Sequence, residues 1–210
     1  MFTVPEQLLS ITPQSILLFG IGVVIVTRFI FVISRILTGI SLSRIGILDT
    51  VLLLVHITGM ILIPAEYVMR HRPASMDYYL PESIQWAGAG IFIAAIVLFC
   101  ISQAGLGRNF SATTEIRRGQ KLITRSIYRY IRHPMYASYW LWGIAQALIL
   151  PNWVAGLSML VTFIPFYLER VPREERMMLE HFGDEYGEYM KKTGRVIPRF
   201  GADGSSKNRN

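Results

Sequence analysis

The sequence predicts an all-α integral membrane protein with about five transmembrane helices, a C-terminal helical hairpin and cytoplasmic amphipathic helices. Three observations support this fold class. The chain of 210 residues has a mean hydropathy of +0.39, long apolar stretches recur along it, and basic residues are concentrated between particular stretches. An apolar helix of about 20 residues crosses the ~30 Å hydrocarbon layer of a membrane, and no segment suggests a second, soluble domain.

The first three apolar stretches predict an N-terminal three-helix membrane region over residues 1–104. The first helix lies within residues 8–37, the second spans about 48–69, and the third spans about 84–104. We expect His56, in the second helix, to be a hydrogen-bonded histidine between helices.

Two frames for the first helix stay open. A span of about 8–27 includes Pro13 but keeps Arg28 outside the hydrocarbon layer. A span of about 16–37 avoids the proline but buries Arg28, which costs ~2.5 kcal/mol or more unless the side chain pairs or reaches the interface.

Residues 134–168 predict a helical hairpin. Its two apolar arms, about 135–150 and 153–168, meet at Pro151-Asn152, a strong turn dipeptide. Each arm of about 16 residues gives ~24 Å of helix, slightly less than the hydrocarbon thickness. Because a hairpin returns to the side on which it starts, it brings the charged residues before and after it to one membrane face.

The net charge of +7 arises from an uneven distribution of basic residues. Between residues 105 and 133, only Glu115 opposes seven of them. The seven are Arg108, Arg117, Arg118, Lys121, Arg125, Arg129 and Arg132. Such asymmetry is typical of loops on the inner side of a membrane. We therefore expect the N-terminus outside and the C-terminus inside, membrane lipids as neighbours, and no nucleic-acid partner.

After the hairpin, the sequence predicts an amphipathic helix that begins at Pro172, a residue suited to a first helical turn. Glu174 and Glu175 would then lie at the positive end of the helix dipole. Glu175 shares the apolar side with Leu179 and Phe182, at spacings of four and seven residues. It is therefore expected to face the membrane domain and to be the better candidate for a ligand ammonium or hydroxyl.

A second short helix is predicted to follow. Gly183 is a plausible stop for the first helix, and Asp184 can cap the next one. Tyr186 and Tyr189 share a face of that helix at a spacing of three residues. The last ten residues, 201–210, are predicted to be a disordered tail.

Residues around the start of the hairpin are candidates for a functional site. Arg132 can be an ordinary basic flank, but charged clusters at a membrane boundary are uncommon by accident. His133 can cap the helix or donate to an anionic ligand at its N-terminus. Tyr136 can anchor at the interface or place its ring against a cation. Interfacial anchoring is the default for Tyr128. No metal site is predicted, and Cys100 lies in an apolar stretch.

These residues resemble the isoprenylcysteine carboxyl methyltransferase family and the related membrane phospholipid methyltransferases. The matching stretches lie at residues 106–111, 122–136 and 170–195, and the resemblance covers about 105–198. The combination of Arg-His-Pro-x-Tyr with Glu-Glu and Phe-Gly-x-x-Tyr is specific to this family. One departure is Ser126-Ile127, where the family usually has Gly-Pro. The resemblance implies a methyltransferase-like catalytic region over 105–200, and the short five-span layout resembles prokaryotic members.

The resemblance also implies S-adenosyl-L-methionine as the methyl donor, bound at the cytoplasmic face, and a hydrophobic or lipid-linked acceptor that enters from the bilayer. The carboxylate, ammonium and sulfonium of the donor suit His133, Glu175 and Tyr136, respectively. Arg170 can serve the donor carboxylate or orient Glu174. The implied donor-binding residues are His133, Tyr136, Arg170, Glu175, Tyr128 and Leu122.

The acceptor decides the mechanism. A carboxylate needs no general base, and Arg132 is the candidate to hold it in a bidentate pair. An amine acceptor must lose a proton, which would recruit a glutamate such as Glu174 as base. The resemblance, together with the arginine-rich site, therefore favours O-methylation of an isoprenylcysteine-like carboxylate, with Arg132 and Glu174 as catalytic candidates. The alternatives are phospholipid N-methylation and a non-catalytic membrane module. Replacement of Arg132 by alanine is expected to abolish turnover while donor binding is retained.

Overall fold

The computed structural model of the chain describes residues 11–37, 46–106 and 122–199. Within these ranges the chain is helical, and its strand-like pairing is limited to isolated β-bridges. The predictions for the basic residues at 108–121 and for the tail at 201–210 lie outside the described residues.

In the described part of the chain, four α-helices precede residue 107. They are α1 (Pro13–Leu37), α2 (Ile47–Ile57), α3 (Ile63–Arg70) and α4 (Glu82–Leu106). A π-helical turn, Thr58–Leu62, joins α2 to α3. Because no loop interrupts this path, α2, the π-helical turn and α3 form a single apolar segment.

Helix α1 begins at Pro13 rather than at the start of either predicted frame. Thr12 and Ser15 exchange backbone-to-side-chain hydrogen bonds of 2.9 and 3.1 Å, which satisfies N–H groups that the first turn leaves unpaired. Proline suits this first position because its φ is already helical. The helix also contains Arg28, which donates a 2.5 Å hydrogen bond to the hydroxyl of Tyr139. The arginine is therefore half-buried and paired.

Four segments of the described chain are long and apolar enough to cross a membrane. They are Pro13–Ile30, Ile47–Arg70, Glu82–Gly105 and Trp153–Phe182. Helix α5, Pro134–Ile149, has 16 residues and is the short first arm of the hairpin. With α5 as the fifth membrane helix, this layout agrees with the fold class that the sequence predicts.

The hairpin forms where the sequence predicts it, between α5 and α6 (Trp153–Phe182). Its turn depends on Asn152, whose side-chain oxygen accepts hydrogen bonds from the backbone N–H groups of Val154 and Ala155 at 3.0 and 2.8 Å. The amide nitrogen of Asn152 donates to Asp77 at 2.7 Å and to the carbonyl of Pro73 at 2.8 Å. The turn is thus tied to the loop between α3 and α4.

The π-helical turn is held by polar side chains of the hairpin. The carbonyl of Gly59 accepts hydrogen bonds from the hydroxyl of Ser158 at 2.8 Å and from the amide of Gln146 at 3.3 Å. A wide turn of this kind leaves a carbonyl available for a partner on another helix. These two hydrogen bonds fix the position of α2 along the axes of α5 and α6.

The prediction of a new helix at Pro172 is wrong. Helix α6 continues through Pro172 to Phe182, so the second arm of the hairpin extends well past residue 168. A proline inside a helix removes one backbone hydrogen bond, but Val171 and Glu175 are buried on either side of it. Their packing keeps the chain on a helical path. Consequently, Glu174 and Glu175 lie within the helix and not at its positive end.

The stop at Gly183 is confirmed, and the cap at Asp184 is not. Gly183 has a positive φ of 54°, which a residue without a Cβ adopts without strain. Helix α7, Asp184–Lys192, has no side-chain cap hydrogen bond, and Asp184 lies in its first turn. Tyr186 and Tyr189 are both buried, as their shared face predicts.

Candidate active site

The C-terminal segment pairs with the residues that precede α5. The N–H of Arg132 donates to the carbonyl of Gly194 at 2.8 Å, and the N–H of His133 donates to that of Arg195 at 2.9 Å. In return, the N–H of Gly194 donates to the carbonyl of Tyr130 at 3.0 Å. This short parallel pairing places residues 193–199 beside the start of the hairpin.

Glu175 lies at the centre of a cluster of basic groups. Its side chain is 5% exposed, and Arg132 Nε donates to its Oε1 at 3.1 Å. Arg195 holds both carboxylate oxygens through Nε at 3.2 Å and through Nη2. His133 Nε2 lies 3.3 Å from Oε1. A buried carboxylate needs such partners, and the predicted inward orientation of Glu175 is confirmed.

Glu174 belongs to a second, adjacent cluster. Its Oε1 accepts a 2.8 Å hydrogen bond from the hydroxyl of Tyr136 and another of 2.8 Å from Arg170 Nε. The guanidinium of Arg170 also lies over the ring of Phe166, 5.3 Å from its centroid. Of the two roles expected for Arg170, the structure therefore shows the contact that orients Glu174.

His133 lies between the two glutamates. Its Nδ1 is 3.8 Å from Glu174, and its side chain makes no cap hydrogen bond to α5, so the capping interpretation is wrong. Although Nε2 is close to Glu175, this buried nitrogen has no hydrogen-bond partner of suitable geometry. His133 therefore keeps one nitrogen that a ligand could engage.

Arg132 is more enclosed than the sequence suggests. Its side chain is 8% exposed, and Nη1 donates to the carbonyl of Met190 at 3.1 Å and to that of Thr193. The guanidinium thus joins Glu175 to the C-terminal segment. In this arrangement Arg132 is a positioning residue, and its expected contact with an acceptor carboxylate stays a prediction.

The hydrogen bonds of Tyr128 go to groups other than the two glutamates. Tyr128 is buried, its hydroxyl donates to the carbonyl of Ser102 at 3.1 Å, and its own carbonyl accepts a 2.5 Å hydrogen bond from Tyr189. The default interpretation of Tyr128 as an interfacial anchor is therefore wrong. Burial raises the pKa of the Tyr128 phenol, with smaller contributions from Tyr189 and Glu174. Leu122 is half-buried in a segment without regular secondary structure.

Sequence reasoning assigned no role to Arg195. This residue belongs to the Thr-Gly-Arg part of the family resemblance, but no local pattern shows that the chain returns to Glu175 at this point. Among the described residues, no group of His, Cys, Asp and Glu could hold a metal ion. Three arginines, Arg132, Arg170 and Arg195, contact the two glutamates of these clusters.

The matched family is the isoprenylcysteine carboxyl methyltransferase (ICMT) family, whose model matches residues 88–180. The chain is 32% identical over 94 residues to protein-S-isoprenylcysteine O-methyltransferase B of Arabidopsis thaliana, covering 44% of this chain and 48% of that protein. It is 33% identical over 128 residues to the Schizosaccharomyces pombe protein-S-isoprenylcysteine O-methyltransferase, covering 60% and 54%. The chain thus spans about half the length of the curated relatives it matches.

A solved structure has a similar fold. It is that of a eukaryotic intramembrane Ras methyltransferase ICMT, with a TM-score of 0.51, 23% sequence identity, and coverage of 74% of this chain and 54% of that one. This similarity confirms the predicted membrane fold. The Glu174 and Glu175 clusters fall in or beside the matched segment. Residues 88–180 of this chain are therefore similar in sequence to the isoprenylcysteine carboxyl methyltransferase family, and the membrane fold is shared with the solved structure.

Proposed function

We propose that this chain is an integral membrane methyltransferase that uses S-adenosylmethionine to O-methylate a carboxylate on a lipidated or hydrophobic, isoprenylcysteine-like acceptor. The observation that carries the proposal is the pair of adjacent glutamates, the half-buried Glu174 and the buried Glu175, each held by arginine at the end of a membrane hairpin. Charged side chains that are held by ion pairs at a membrane helix are typical of functional sites. Residues 105–200 would form the catalytic region, and 1–104 would support it.

The residues present fit such a donor. His133 has a buried nitrogen without a hydrogen-bond partner, and the arginines that contact the neighbouring glutamates suit the donor carboxylate. The side chain of Arg195 is 45% exposed, so it is the partner of Glu175 that a ligand ammonium could replace most readily. Tyr136 offers an aromatic ring to the sulfonium. Glu175 is therefore proposed as the donor-binding acid and Glu174 as the acid that holds Tyr136 and Arg170.

The chain supplies positioning and not proton transfer. When bound, the donor would supply a sulfonium methyl group to a carboxylate oxygen and leave as S-adenosylhomocysteine, a reaction that needs no proton transfer. Glu174 Oε1 accepts hydrogen bonds from both Tyr136 and Arg170, so this oxygen holds the two side chains in place. A carboxylate acceptor is ionised near neutral pH and needs no base. This geometry supports the acid acceptor over an amine, because the chain's contribution is alignment and exclusion of water.

The site is proposed to face the cytoplasm of a prokaryotic cell, with the acceptor entering laterally from the bilayer. The basic residues before α5 support this orientation, since basic loops remain inside. In this arrangement the water-soluble donor and the lipid-linked acceptor approach the glutamates from different sides.

A labelled-donor screen tests the proposal. The full chain in membranes is incubated with methyl-labelled donor and with either prenylcysteine analogues or membrane lipid extracts. We expect label on the acid acceptor, and treatment with base should release it because a methyl ester is base-labile. Base-stable label on an amine lipid would instead indicate N-methylation. No transfer, together with no calorimetric binding of S-adenosylhomocysteine at millimolar concentration, would indicate a non-catalytic module.

A further inference from the structure

His56 is a buried histidine whose two ring nitrogens both lack hydrogen-bond partners. Its residue surface is 3% exposed, and neither Nδ1 nor Nε2 has a partner. The expectation of a hydrogen-bonded histidine between helices is therefore wrong. Each unpaired buried polar group costs roughly 1–3 kcal/mol, and such groups are rare in native proteins. A polar ligand is a physical reason for keeping one in a membrane helix.

Aromatic side chains surround the imidazole. The ring of Phe166 stacks on it at a centroid distance of 4.9 Å, Tyr139 lies edge-on at 5.2 Å, and Phe163 is at 5.4 Å. Phe163 and Phe166 each lie 6.3 Å from Tyr136, whose hydroxyl binds Glu174. His56 is therefore separated from the Glu174 cluster by a single layer of aromatic rings, on its membrane side.

The position of His56 is fixed by the π-helical turn that follows α2. This turn cannot slide, because Ser158 and Gln146 hold the carbonyl of Gly59. π-Helical turns in α-helices occur frequently at functional sites. The turn keeps the imidazole directed at the hairpin and not at the lipid, despite the cost of its unpaired nitrogens.

The electrostatic surroundings of His56 favour an anion. Arg28 of α1 and Arg170 of α6 are the charged groups that act on it through space, and both are cations. A positive field in a low-dielectric region attracts a carboxylate and opposes an ammonium. An imidazole N–H can donate to such a carboxylate and form a charge-assisted hydrogen bond.

We propose that His56 is an acceptor-binding residue, whose N–H donates to one carboxylate oxygen of the hydrophobic acceptor at the aromatic layer and leaves the other oxygen to face the donor. This inference rests on the proposed function and assigns its acceptor site to α2, a helix outside residues 88–180 that match the family. The methyl ester product cannot keep a charge-assisted hydrogen bond. His56 would therefore favour the acid over its ester and assist product release.

The test measures acceptor binding in the absence of donor. The full chain in detergent is titrated with a labelled N-acetylated S-prenyl cysteine and, separately, with its methyl ester. His56→Phe fills the same aromatic space without a donor and should weaken binding of the acid about tenfold, the loss expected for one hydrogen bond to a charged group. Binding of the ester and of S-adenosylhomocysteine should not change. His56→Gln retains an N–H and should restore part of the affinity.

Two measurements separate ligand binding from a structural role. His56→Phe removes two unpaired nitrogens, so its thermal unfolding midpoint should equal or exceed that of the native chain. The control is His181→Phe, at an exposed position, which should change neither acid binding nor the unfolding midpoint. Equal affinity of His56→Phe and the native chain for the acid would overturn the inference. A parallel loss of ester binding, or no acid binding by the native chain, would overturn it too. Acid binding without methyl transfer would instead contradict the proposed function alone.

Discussion

Glu175 shows at the scale of one residue how burial and charge define the candidate site. Its side chain is 5% exposed, and Arg132, Arg195 and His133 surround it. A charge taken out of water must be paired, and removal of one member leaves the others uncompensated. The spacing from Glu175 to Phe182 predicts that the acid faces inward. The predicted hairpin places Arg132 and His133 on the same side of the membrane as Glu175, but Arg195 could not be predicted, because no local pattern brings residues 193–199 back to the start of α5.

We expect Glu175→Gln to lower both stability and methyl transfer. The amide keeps the shape but leaves buried cations without their counter-charge, a loss of about 1–3 kcal/mol, with little from the half-exposed Arg195. Thermal unfolding in detergent and turnover of a prenylcysteine analogue measure the two effects. Glu180→Gln, at an exposed position of the same helix, is the matched control. Native stability and turnover in Glu175→Gln would exclude a role for this carboxylate.

Arg132→Ala is expected to abolish turnover and also to loosen the C-terminal segment. Arg132 holds the carbonyls of Met190 and Thr193 as well as Glu175, so its loss should release residues 193–199 from the start of α5. Amide hydrogen exchange at Gly194 reports this directly, because its N–H bonds to the carbonyl of Tyr130. Lost turnover with native exchange would mean that Arg132 acts on the acceptor and not as a positioning residue.

At the scale of an element, the π-helical turn shows why a helix in this protein departs from ideal geometry. Apolar periodicity predicts a span at 48–69 but no irregularity within it. The wide turn at Thr58–Leu62 depends on Ser158 and Gln146 of the hairpin. Likewise, Pro172 is a local helix-start signal, and α6 passes through it because its neighbours are buried. Local propensity is overridden in both places by packing.

Gly59→Ala should destabilise this element. A Cβ at residue 59 would lie 2.5 Å from the carbonyl oxygen of Ser158, which is backbone and cannot move without shifting α6. Overpacking of this kind costs about 1–3 kcal/mol. Gly90→Ala is the control, because a Cβ there meets nothing within 4 Å, and alanine gains up to about 1 kcal/mol of helix propensity. If both variants unfold at the same temperature in one detergent, the proposed close contact at Gly59 is incorrect.

At the scale of the whole molecule, the two ends of the hairpin have different partners. The loop between α3 and α4 is bound to the turn at Asn152, whereas residues 193–199 are bound to the start of α5. The 16 residues of α5 separate these ends by ~24 Å. The contact between Asn152 and Asp77 and the candidate active site therefore lie at opposite ends of the helical bundle.

The contact between Asp77 and Asn152 should make the stability of the protein depend on pH in the acid range. Partial burial raises the pKa of Asp77, but hydrogen bonds from Asn152 and Tyr67 and the neighbouring His71 outweigh it and leave the pKa below its ordinary 3.8. A depressed carboxyl pKa contributes stability above the ordinary value that is lost as pH falls through the folded value. Unfolding midpoints of Asp77→Asn and the native chain should therefore converge below about pH 4. A constant difference at all pH values would contradict this contribution.

Cysteine labelling tests the arrangement of the ends across the membrane. In a Cys100→Ala background, Tyr79→Cys places a thiol in the α3–α4 loop and Ile197→Cys places one beside Arg195, both at exposed positions. We expect a membrane-impermeant maleimide to modify position 79 in intact cells and position 197 only after permeabilisation. Modification of both positions from the same side would contradict the placement of these ends on opposite faces. The reverse order would contradict the proposed orientation only.

Sequence patterns are sufficient to predict the membrane fold, the hairpin with its turn at Asn152, and the inward-facing Glu175. These features depend on hydropathy, turn chemistry and helical spacing, which are local properties of the chain. Three other features are visible only in the folded molecule: Arg195 returns to Glu175, α6 continues through Pro172, and His56 lies unpaired beneath the aromatic layer. Each of these depends on which side chains meet across segments distant in sequence. Burial and electrostatic pairing between distant segments fix those contacts, and no local sequence pattern predicts which segments will meet.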